Sequence, residues 1–489
     1  MKSGEEPVRI DTGVSGLNDI LLGGLPSGQM YLLEGDPGTG KTTLAMQFII
    51  AGKRVGERAL YITLSESKAE LEGSARSHGW NAEELTIAEF IPAEATLTPE
   101  QQYTVFHPSE VELAGTIHKL TQLIDELTPD RVVIDSLSEL RLLAADTMRY
   151  RRQLLALKHF FAGRETTVLL LDDRTAEGSD MQLQSIAHGV VRLEKVQRSY
   201  GVTRRHVEII KLRGSAFREG RHDYTIDRGG MSIYPRLIAS EHDTTFDGMR
   251  IVSELPVLDG MFGGGLNRGS STLLIGPSGS GKSTLAMVYA YAAAKRGDRA
   301  IVYVFDEVLR TAQDRVEAMG MPVRKEIAKG TLAMSQIDPA ELTPGEFAWQ
   351  IRRDVETKDT RVVVIDSLNG YLMAMPGERD LNLHLHELLS YLNQKGVVTI
   401  LIYTQHGLVG SMQTEVNVSY LSDTVVLLRY FETEGEIRHV ISVIKQRVGA
   451  HERTLRELRM SSKGVEIGET LRNYRGVLSG IAEFPDRTS

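Results

Sequence analysis

The sequence of 489 residues predicts an α/β protein in which one domain occurs twice. The glycine-rich segment GDPGTGKT at 35–42 recurs as GPSGSGKS at 276–283, an offset of 276 − 35 = 241 residues. The apolar run VVIDSL at 132–137 recurs at 363–368. A period this long indicates a duplicated domain, because the repeats of solenoid proteins run roughly 20–50 residues. We therefore predict two tandem domains, each a mostly parallel sheet covered by helices.

Short apolar runs rich in β-branched residues alternate with longer helical patterns in both copies, which is typical of parallel sheets with helices on both faces. The predicted strands of the first copy are 31–33, 59–64, 132–134, 168–171 and 207–210. Those of the second copy are 272–275, 300–305, 362–365, 398–403, 424–428 and 440–444. A polar stretch without periodicity at 240–248 predicts that the domains comprise residues 1–246 and 247–489.

Composition limits the classes of protein that the chain can belong to. Apolar residues make up 41% and charged residues 25%, which is ordinary for a globular protein. The charge balance is 56 − 65 = −9, which argues against a nucleic-acid partner. The chain has no cysteine, which excludes disulfides and thiolate chemistry. No apolar run approaches the ~20 residues of a membrane span, and a cytoplasmic location is expected.

Both glycine-rich segments fit the pattern GxxxxGK[ST], with a predicted strand before and a helix after, which indicates a loop that binds nucleotide phosphates. Glycine lets the backbone wrap closely around the phosphates, so that N–H groups contact them. The glycines to which we assign this role are Gly38, Gly40, Gly279 and Gly281.

Side chains of the loops and of a nearby strand complete the predicted phosphate sites. Lys41 and Lys282 are predicted to contact the β- and γ-phosphates. The hydroxyls and strand-terminal carboxylates predicted to bind Mg²⁺ are those of Thr42, Asp135, Ser283 and Asp366. The predicted cofactors are ATP and Mg²⁺.

Acidic residues follow the second predicted strand in each copy: Glu66 in the first, and Asp306 with Glu307 in the second. An acid at this edge can orient or deprotonate the oxygen that attacks ATP. The alternative is an exposed loop or helix-capping acid.

Paired cations lie near the end of a late strand in each copy, Lys211 with Arg213 and Lys445 with Arg447. Their spacing places both side chains on one side of a strand, which suits a phosphate chain. The alternative is a solvated sheet edge.

These motifs, with ARSHGW at 75–80, KLRG at 211–214 and SDTVVLL at 422–428, resemble the KaiC-type ATPases of the RecA superfamily over nearly the whole chain. The resemblance implies a homohexameric double ring with ATP between subunits, ATP hydrolysis in the first ring and Ser/Thr autophosphorylation in the second. It implies that both cation pairs reach a neighbour's γ-phosphate, and it implies a KaiB-like regulator. Further nucleotide contacts are implied for Thr39, Thr43, Ser77, Leu212, Ser280 and Thr284.

The chain departs from the family pattern at several points. Asp306 stands where the family has glutamate, and only Glu66 keeps a carboxylate in the first-domain pair, whose other member is Ser65. At the family's Ser-Thr phosphoacceptor pair this chain has Ser419 and Tyr420, so Ser419 is the predicted acceptor and Thr414 a transient one. The chain ends about nine residues after Gly480, which argues against a KaiA-like activator.

Two other functions stay open from the sequence. The same motifs occur in recombinase or helicase motors that act on DNA, although such motors need a basic, stacking-capable track. A nucleotide-sensing scaffold with vestigial kinase chemistry is the other alternative, and the substitutions at Ser65, Asp306 and Tyr420 favour it.

Overall fold

The computed structural model describes residues 8–90, 108–144, 147–174, 181–197, 201–241, 245–373, 381–405, 420–433, 435–472 and 474. Contacts divide the chain into two compact units, Met1–Arg236 and Leu237–Ser489. The domain boundary predicted near residue 246 stays a prediction.

The first unit is built on a nine-stranded sheet with the order β11-β10-β9-β8-β3-β7-β6-β4-β5 and a small antiparallel ribbon of β1 and β2. Its strands are β1 (Arg9–Ile10), β2 (Leu25–Pro26), β3 (Met30–Gly35), β4 (Ala59–Thr63), β5 (Ile87–Glu89), β6 (Arg131–Asp135), β7 (Thr167–Asp173), β8 (Gly189–Val196), β9 (Arg204–Leu212), β10 (His222–Asp227) and β11 (Gly230–Tyr234). Its helices are α1 (Ser15–Ile20), α2 (Lys41–Arg54), α3 (Lys68–Ser77), α4 (Pro108–Leu127), α5 (Leu137–Ala144), α6 (Thr147–Phe161) and α7 (Met181–Ile186).

The second unit repeats this plan with the order β16-β15-β17-β18-β14-β19-β20-β21-β22 and a ribbon of β12 and β13. Its strands are β12 (Arg250–Ile251), β13 (Leu266–Asn267), β14 (Ser271–Gly276), β15 (Arg299–Val304), β16 (Leu332–Gln336), β17 (Thr360–Asp366), β18 (Val398–Thr404), β19 (Thr424–Thr433), β20 (Glu436–Gln446), β21 (Arg456–Ser461) and β22 (Gly464–Thr470). Its helices are α8 (Pro256–Met261), α9 (Lys282–Arg296), α10 (Leu309–Glu317), α11 (Val323–Lys329), α12 (Pro344–Lys358), α13 (Leu368–Met373) and α14 (Leu381–Gln394). Short 3-10 turns lie at Ala82–Glu84 and Ala239–Glu241.

The predicted fold class is confirmed: in each unit the central strands are parallel, and helices cover both faces. Alternate residues of β3 enter different cores, since Tyr31 and Leu33 pack with α2 while Met30 and Leu32 pack with α4–α6. A strand buried on both faces reads as a continuous apolar run, which is why the sequence revealed β3, β4, β6 and β7. The strands β5, β8, β10, β11, β16, β21 and β22 were not predicted.

No helix among the described ranges is long and apolar enough to cross a bilayer.

Arg131, at the start of β6, joins the sheet of the first unit to its helices. The side chain is 1% exposed and pairs with the carboxylate of Glu57. Its guanidinium donates to the carbonyl oxygens of Asp11 (2.5 Å) and Phe48 (2.9 Å) and lies over the Phe48 ring. One buried cation therefore holds three segments of the first unit together.

Replacing Arg131 with methionine should lower the free energy of unfolding of the first unit by about 3 kcal/mol, because Glu57 and two carbonyls lose their partner. Urea unfolding followed by Trp80 fluorescence in a Trp349→Phe background measures this unit alone. Glu57→Gln, which keeps a neutral acceptor, should cost less. Equal stability of the Arg131→Met chain and its parent would contradict this account.

Candidate active site

Each phosphate loop lies between a central strand and the helix that follows it. In the first unit the loop joins β3 to α2, and in the second it joins β14 to α9. Gly40 and Gly281 cap these helices, both with φ of 95°, a left-handed conformation that favours glycine. The N-termini of α2 and α9 therefore face the loops with unpaired N–H groups, the arrangement that binds phosphate.

The other predicted loop positions have the same conformation in both units. Gly38 and Gly279 have φ of 78° and 77°, so glycine is favoured at these two places as well. Thr39 and Ser280, the next residues, are fully buried. The two loops therefore share one backbone path, and the phosphate contacts assigned to these four residues stay predictions.

Lys41 is anchored in the loop of the first unit by three acceptors. Its Nζ donates to the carbonyl oxygens of Gly35 (2.7 Å) and Asp36 (3.2 Å), and forms an ion pair with Asp173 Oδ1 at 2.6 Å. Asp173 ends β7 and is aligned with Gly35 across the sheet. The sequence did not single out Asp173, although its position at the end of an apolar strand was the available signal.

The predicted metal ligands of the first unit are brought together. Thr42 Oγ1 donates to Asp135 Oδ2 at 3.2 Å, and the hydroxyl of Tyr61 donates to the same oxygen. Burial raises the pKa of Asp135, and the bonds from Tyr61 and Thr42 oppose that shift. Tyr61 was missed because its place in the apolar strand β4 gave no sign of a polar role.

Glu66 lies on the same edge, directly after β4. Its backbone N–H and carbonyl both bond to the hydroxyl of Thr63. Partial burial raises the pKa of Glu66, and the carboxylates of Asp135 and Glu70 add to the shift. A raised pKa makes this carboxylate a stronger base, which suits a proton-accepting role.

Helix α3 brings further predicted contacts beside the loop. The Nε2 of His78 lies 3.5 Å from the hydroxyl of Thr43, and its Nδ1 lies 3.0 Å from the carbonyl oxygen of Asp227. Ser77 ends α3 and is exposed, with its hydroxyl donating to the carbonyl of Ser74. The predicted roles of Thr43 and Ser77 stay predictions.

The second unit contains a cavity of about 360 Å³ around its phosphate loop. Its lining includes Lys282, Ser283, Thr284, Asp306, Glu307 and Asp366. Lys282 Nζ donates to the carbonyl oxygens of Gly276 (2.9 Å) and Pro277 (2.6 Å), and burial lowers the pKa of Lys282 to about 8. Burial raises the pKa of Asp366, and the hydrogen bond from Ser283 opposes this. The predicted residues of this site therefore meet in one cavity.

The two acids of the second site have different partners. Asp306 accepts a hydrogen bond from the hydroxyl of Ser367, whereas Glu307 forms an ion pair with Arg315 (Nη2 to Oε2, 2.9 Å). Arg315 also lies 3.5 Å from the hydroxyl of Thr284. The sequence did not predict Arg315, which lies on α10 and reaches the site only through the fold.

The predicted cation pairs lie at the opposite edge of each sheet. The backbone N–H of Arg213 donates to the carbonyl oxygen of His188. The backbone N–H of His188 in turn donates to the carbonyl oxygen of Met30, at the start of β3. The loop begins at Gly35, 35 − 30 = 5 positions further, so Arg213 is about 16 Å from it along the strand direction. Lys211 is paired with Val190, which is level with Leu32, so it is 35 − 32 = 3 positions, about 10 Å, from the loop. Lys445 and Arg447 lie at the corresponding edge of the second sheet. The backbone N–H of Arg447 donates to the carbonyl oxygen of Asp423, and that of Asp423 donates to the carbonyl oxygen of Ser271, at the start of β14. Leu212, between Lys211 and Arg213, is buried.

The predicted phosphoacceptors Ser419 and Thr414 lie outside the described residues. The described neighbour of Ser419 is Tyr420, whose carbonyl accepts a hydrogen bond from Arg447 at 2.6 Å. Tyr420 is 54% exposed.

A protein-family model described as "ATPase: KaiC" matches the chain twice, at residues 10–238 and 252–472. The chain belongs to the KaiC ATPase family. It is therefore an ATPase-family protein with two tandem RecA-like domains, as the resemblance predicted, and ATP is its nucleotide.

Curated relatives from the KaiC family match almost end to end. The circadian clock oscillator protein KaiC of Picosynechococcus sp. is 28% identical over 479 residues, which cover 96% of this chain and 92% of the relative. That of Thermostichus vulcanus is 27% identical over 486 residues, covering 98% and 92%. The circadian clock protein KaiC3 of Synechocystis sp. is 27% identical over 485 residues, covering 97% and 95%.

The Lys41–Asp173 ion pair leads to a prediction about nucleotide affinity. ATP must draw Lys41 away from Asp173, so Asp173→Asn should tighten ATP binding at the first site by up to about five-fold, the value of a partly exposed ion pair. Fluorescent-nucleotide titration of a chain with Lys282→Ala isolates this site. In the second unit, Thr404 is aligned with Gly276 as Asp173 is aligned with Gly35 in the first. Thr404→Val is therefore the matched control. Weaker ATP binding by the Asp173→Asn chain would contradict the prediction.

Proposed function

We propose that the chain is a Mg²⁺-dependent ATPase that assembles into a homohexameric double ring, with each ATP completed by cations of a neighbouring subunit. The observation that carries the proposal is the separation of the phosphate loops from the paired cations within each unit. Along the strand direction, Arg213 is about 16 Å and Lys211 about 10 Å from their own loop, toward the far edge of the sheet. A cation at that edge contacts the phosphates only of another chain's nucleotide. Such contacts repeat head to tail, which generates a ring when the rotation closes.

In the first ring, we assign ATP hydrolysis to the carboxyl edge of the sheet. The N–H groups of the loop and Lys41 hold the phosphate chain, and Glu66 orients the attacking water and accepts its proton. Arg213 of the neighbour stabilises the charge that develops on the γ-phosphate, a contribution of roughly 10³–10⁵ in rate where such residues have been tested.

The residues present fit a Mg²⁺ ion. Thr42 Oγ1 and the Asp135 carboxylate lie 3.2 Å apart beside the loop, and Ser283 and Asp366 share a hydrogen bond in the second unit. A hydroxyl and a carboxylate, with phosphate oxygens and water, are the ligands that Mg²⁺ takes in phosphate-loop sites. When bound, the ion neutralises charge on the β- and γ-phosphates.

In the second ring, we propose transfer of the γ-phosphate to Ser419. Asp306 and Glu307 are the available bases in the cavity. Glu307 is engaged with Arg315, so Asp306 has the freer carboxylate, bonded only to the hydroxyl of Ser367 among the described residues. Transfer breaks the bond between the γ-phosphorus and the β,γ-bridging oxygen, forms a bond to the Ser419 oxygen and passes the serine proton to the carboxylate.

Tyr420, the described residue that follows the proposed acceptor in the chain, lies at the edge that carries the cations. Tyr420 precedes β19. The first residue of β19, Thr424, is paired with Thr272 near the start of β14, whereas the phosphate loop follows the end of β14. The loop of the same chain is therefore about 13 Å or more from this level of the sheet. We infer that phosphate passes between neighbouring subunits.

The nucleotide-sensing scaffold is the second candidate, favoured by one observation. The Glu307 carboxylate is engaged in the ion pair with Arg315 at 2.9 Å, so a hydrogen bond from an acceptor hydroxyl would have to displace this partner. In that case the second ring binds ATP for assembly only. We also propose a KaiB-like regulator and a role in a circadian clock, and only the resemblance to the KaiC family supports these two points.

Complementation tests the shared site of the first ring. Lys41→Ala chains keep the cations but not the loop lysine, whereas Arg213→Ala chains keep the loop but not the cation. With Lys282→Ala in both, each chain alone should form little ADP. A mixture assembled before ATP is added should recover activity at about a quarter of its interfaces, the random expectation for head-to-tail contacts. Absence of recovery, with mixed rings shown by native mass spectrometry, would overturn the shared site.

Phosphate transfer is tested in mixed rings of Lys282→Ala and Ser419→Ala chains. Phosphosite mapping should find the label on Ser419 of the Lys282→Ala chain, which is the chain without a functional loop in its second domain. Neither chain alone should be labelled at that position. Asp306→Asn in the Ser419→Ala chain should abolish the label. ADP formation without any label in the mixture or the parent chain would support the scaffold instead.

A further inference from the structure

Four basic side chains lie close together in the first unit, where β8 begins and β9 ends. We call this set, Lys158, His188, Lys211 and Arg213, the strand-end cluster. Only Lys211 and Arg213 were predicted from the sequence. Lys158 comes from α6 and His188 from the residue before β8.

The cations of the cluster are held by the last turn of α7. Lys158 Nζ donates to the carbonyl oxygen of Ile186 at 2.9 Å, and Arg213 Nη2 donates to that of Ser185 at 2.5 Å. Lys211 Nζ donates to the carbonyl of Gln184. Three consecutive carbonyls thus fix three cations, as expected at a helix C-terminus.

A carbonyl dipole orients a cation without cancelling its charge, and each cation keeps further N–H donors. Within the described part of the chain, no carboxylate forms an ion pair with Lys158, Lys211 or Arg213. Burial lowers the pKa of Lys211, and the charges of Arg213 and Lys158 lower it further. The cluster therefore carries strong positive potential with no anion among the described residues to balance it.

At the corresponding position of the second unit, a carboxylate neutralises the cation. The backbone bond from Arg213 to His188 (3.0 Å) corresponds to the bond from Arg447 to Asp423 (2.9 Å), so Asp423 takes the position of His188. The carboxylate of Asp423 pairs with Arg447 at 3.3 Å and accepts from Asn393 at 3.2 Å. Asn393 comes from α14, the helix that precedes β18 as α6 precedes β7.

A cavity of about 190 Å³ opens beside the cluster. Lys158, His188 and Arg213 line it together with Met30 and Phe161. It is smaller than the sites that hold whole cofactors, roughly 300–1,000 Å³, but has room for one phosphate group.

We infer that the strand-end cluster of the first unit binds a phosphate group, with Lys158 as a third cation beside Lys211 and Arg213. The inference deepens the proposed function and rests on it for the source of the phosphate, which in the ring is the neighbour's nucleotide. The cluster itself also accepts free inorganic phosphate, since the chemistry that recognises the two is the same. In the second unit the Asp423 carboxylate already pairs with Arg447, so the form of the site with three cations belongs to the first unit.

Titration with inorganic phosphate tests the site apart from turnover. The full chain carries Lys41→Ala and Lys282→Ala, which disable both loops. Lys158→Asn, which removes the charge, should weaken phosphate binding about ten-fold, the value of one charge-assisted hydrogen bond. Lys158→Arg should bind within about three-fold of the parent and shows that the fold tolerates a change here. Lys119→Asn, at an exposed lysine of α4, is the matched control.

Phosphate binding that Lys158→Asn leaves equal to the parent and to Lys119→Asn would overturn the inference. Absence of phosphate binding by the parent would overturn it too.

Turnover identifies the source of the phosphate. In a Lys282→Ala chain with Lys41 intact, Lys158→Asn should lower kcat of the first ring about ten-fold and leave KM for ATP unchanged, because Lys158 belongs to the neighbour's side of the interface. An unchanged kcat with weakened phosphate binding would assign the site to free phosphate instead. If no chain forms ADP, the proposed function fails, while the titration still decides whether the cluster binds phosphate.

Discussion

The parallel alignment of the central strands is the constraint on which both sites depend. Because β3 is paired in register with β7, and β7 with β6, the ends of these strands reach the same edge of the sheet. That edge brings Lys41 to Asp173 and Thr42 to Asp135 although they are far apart in the chain. Displacing one strand by a residue would turn its side chains to the other face and separate these groups.

The same alignment underlies the proposal that a single chain holds two incomplete sites. Phosphate loops and acids occupy one edge of each sheet, and the paired cations occupy the other. Neither set completes a phosphoryl-transfer site, which needs groups that bind the phosphates and cations that stabilise the developing charge. The proposed ring is the arrangement that joins unlike edges, and it makes catalysis depend on assembly.

The two units keep one fold but differ in how their charges are compensated. In the first, a carboxylate holds the loop lysine, while the strand-end cations bond to carbonyls. In the second, carbonyls hold Lys282 and a carboxylate pairs with Arg447. Ion pairs cancel charge, whereas carbonyl bonds only orient it, so a carboxylate neutralises Lys41 in the first unit and Arg447 in the second.

The sequence by itself determined the duplication, the α/β class and the phosphate-loop residues. Strands buried on both faces read as continuous apolar runs, and the loop chemistry is confined to eight neighbouring residues. It did not reveal Asp173, Arg315 or Lys158, because their partners lie on other elements and their local sequence resembles any strand end or helix face. Only the tertiary structure decided these roles, since strand register and helix packing set which distant charges meet.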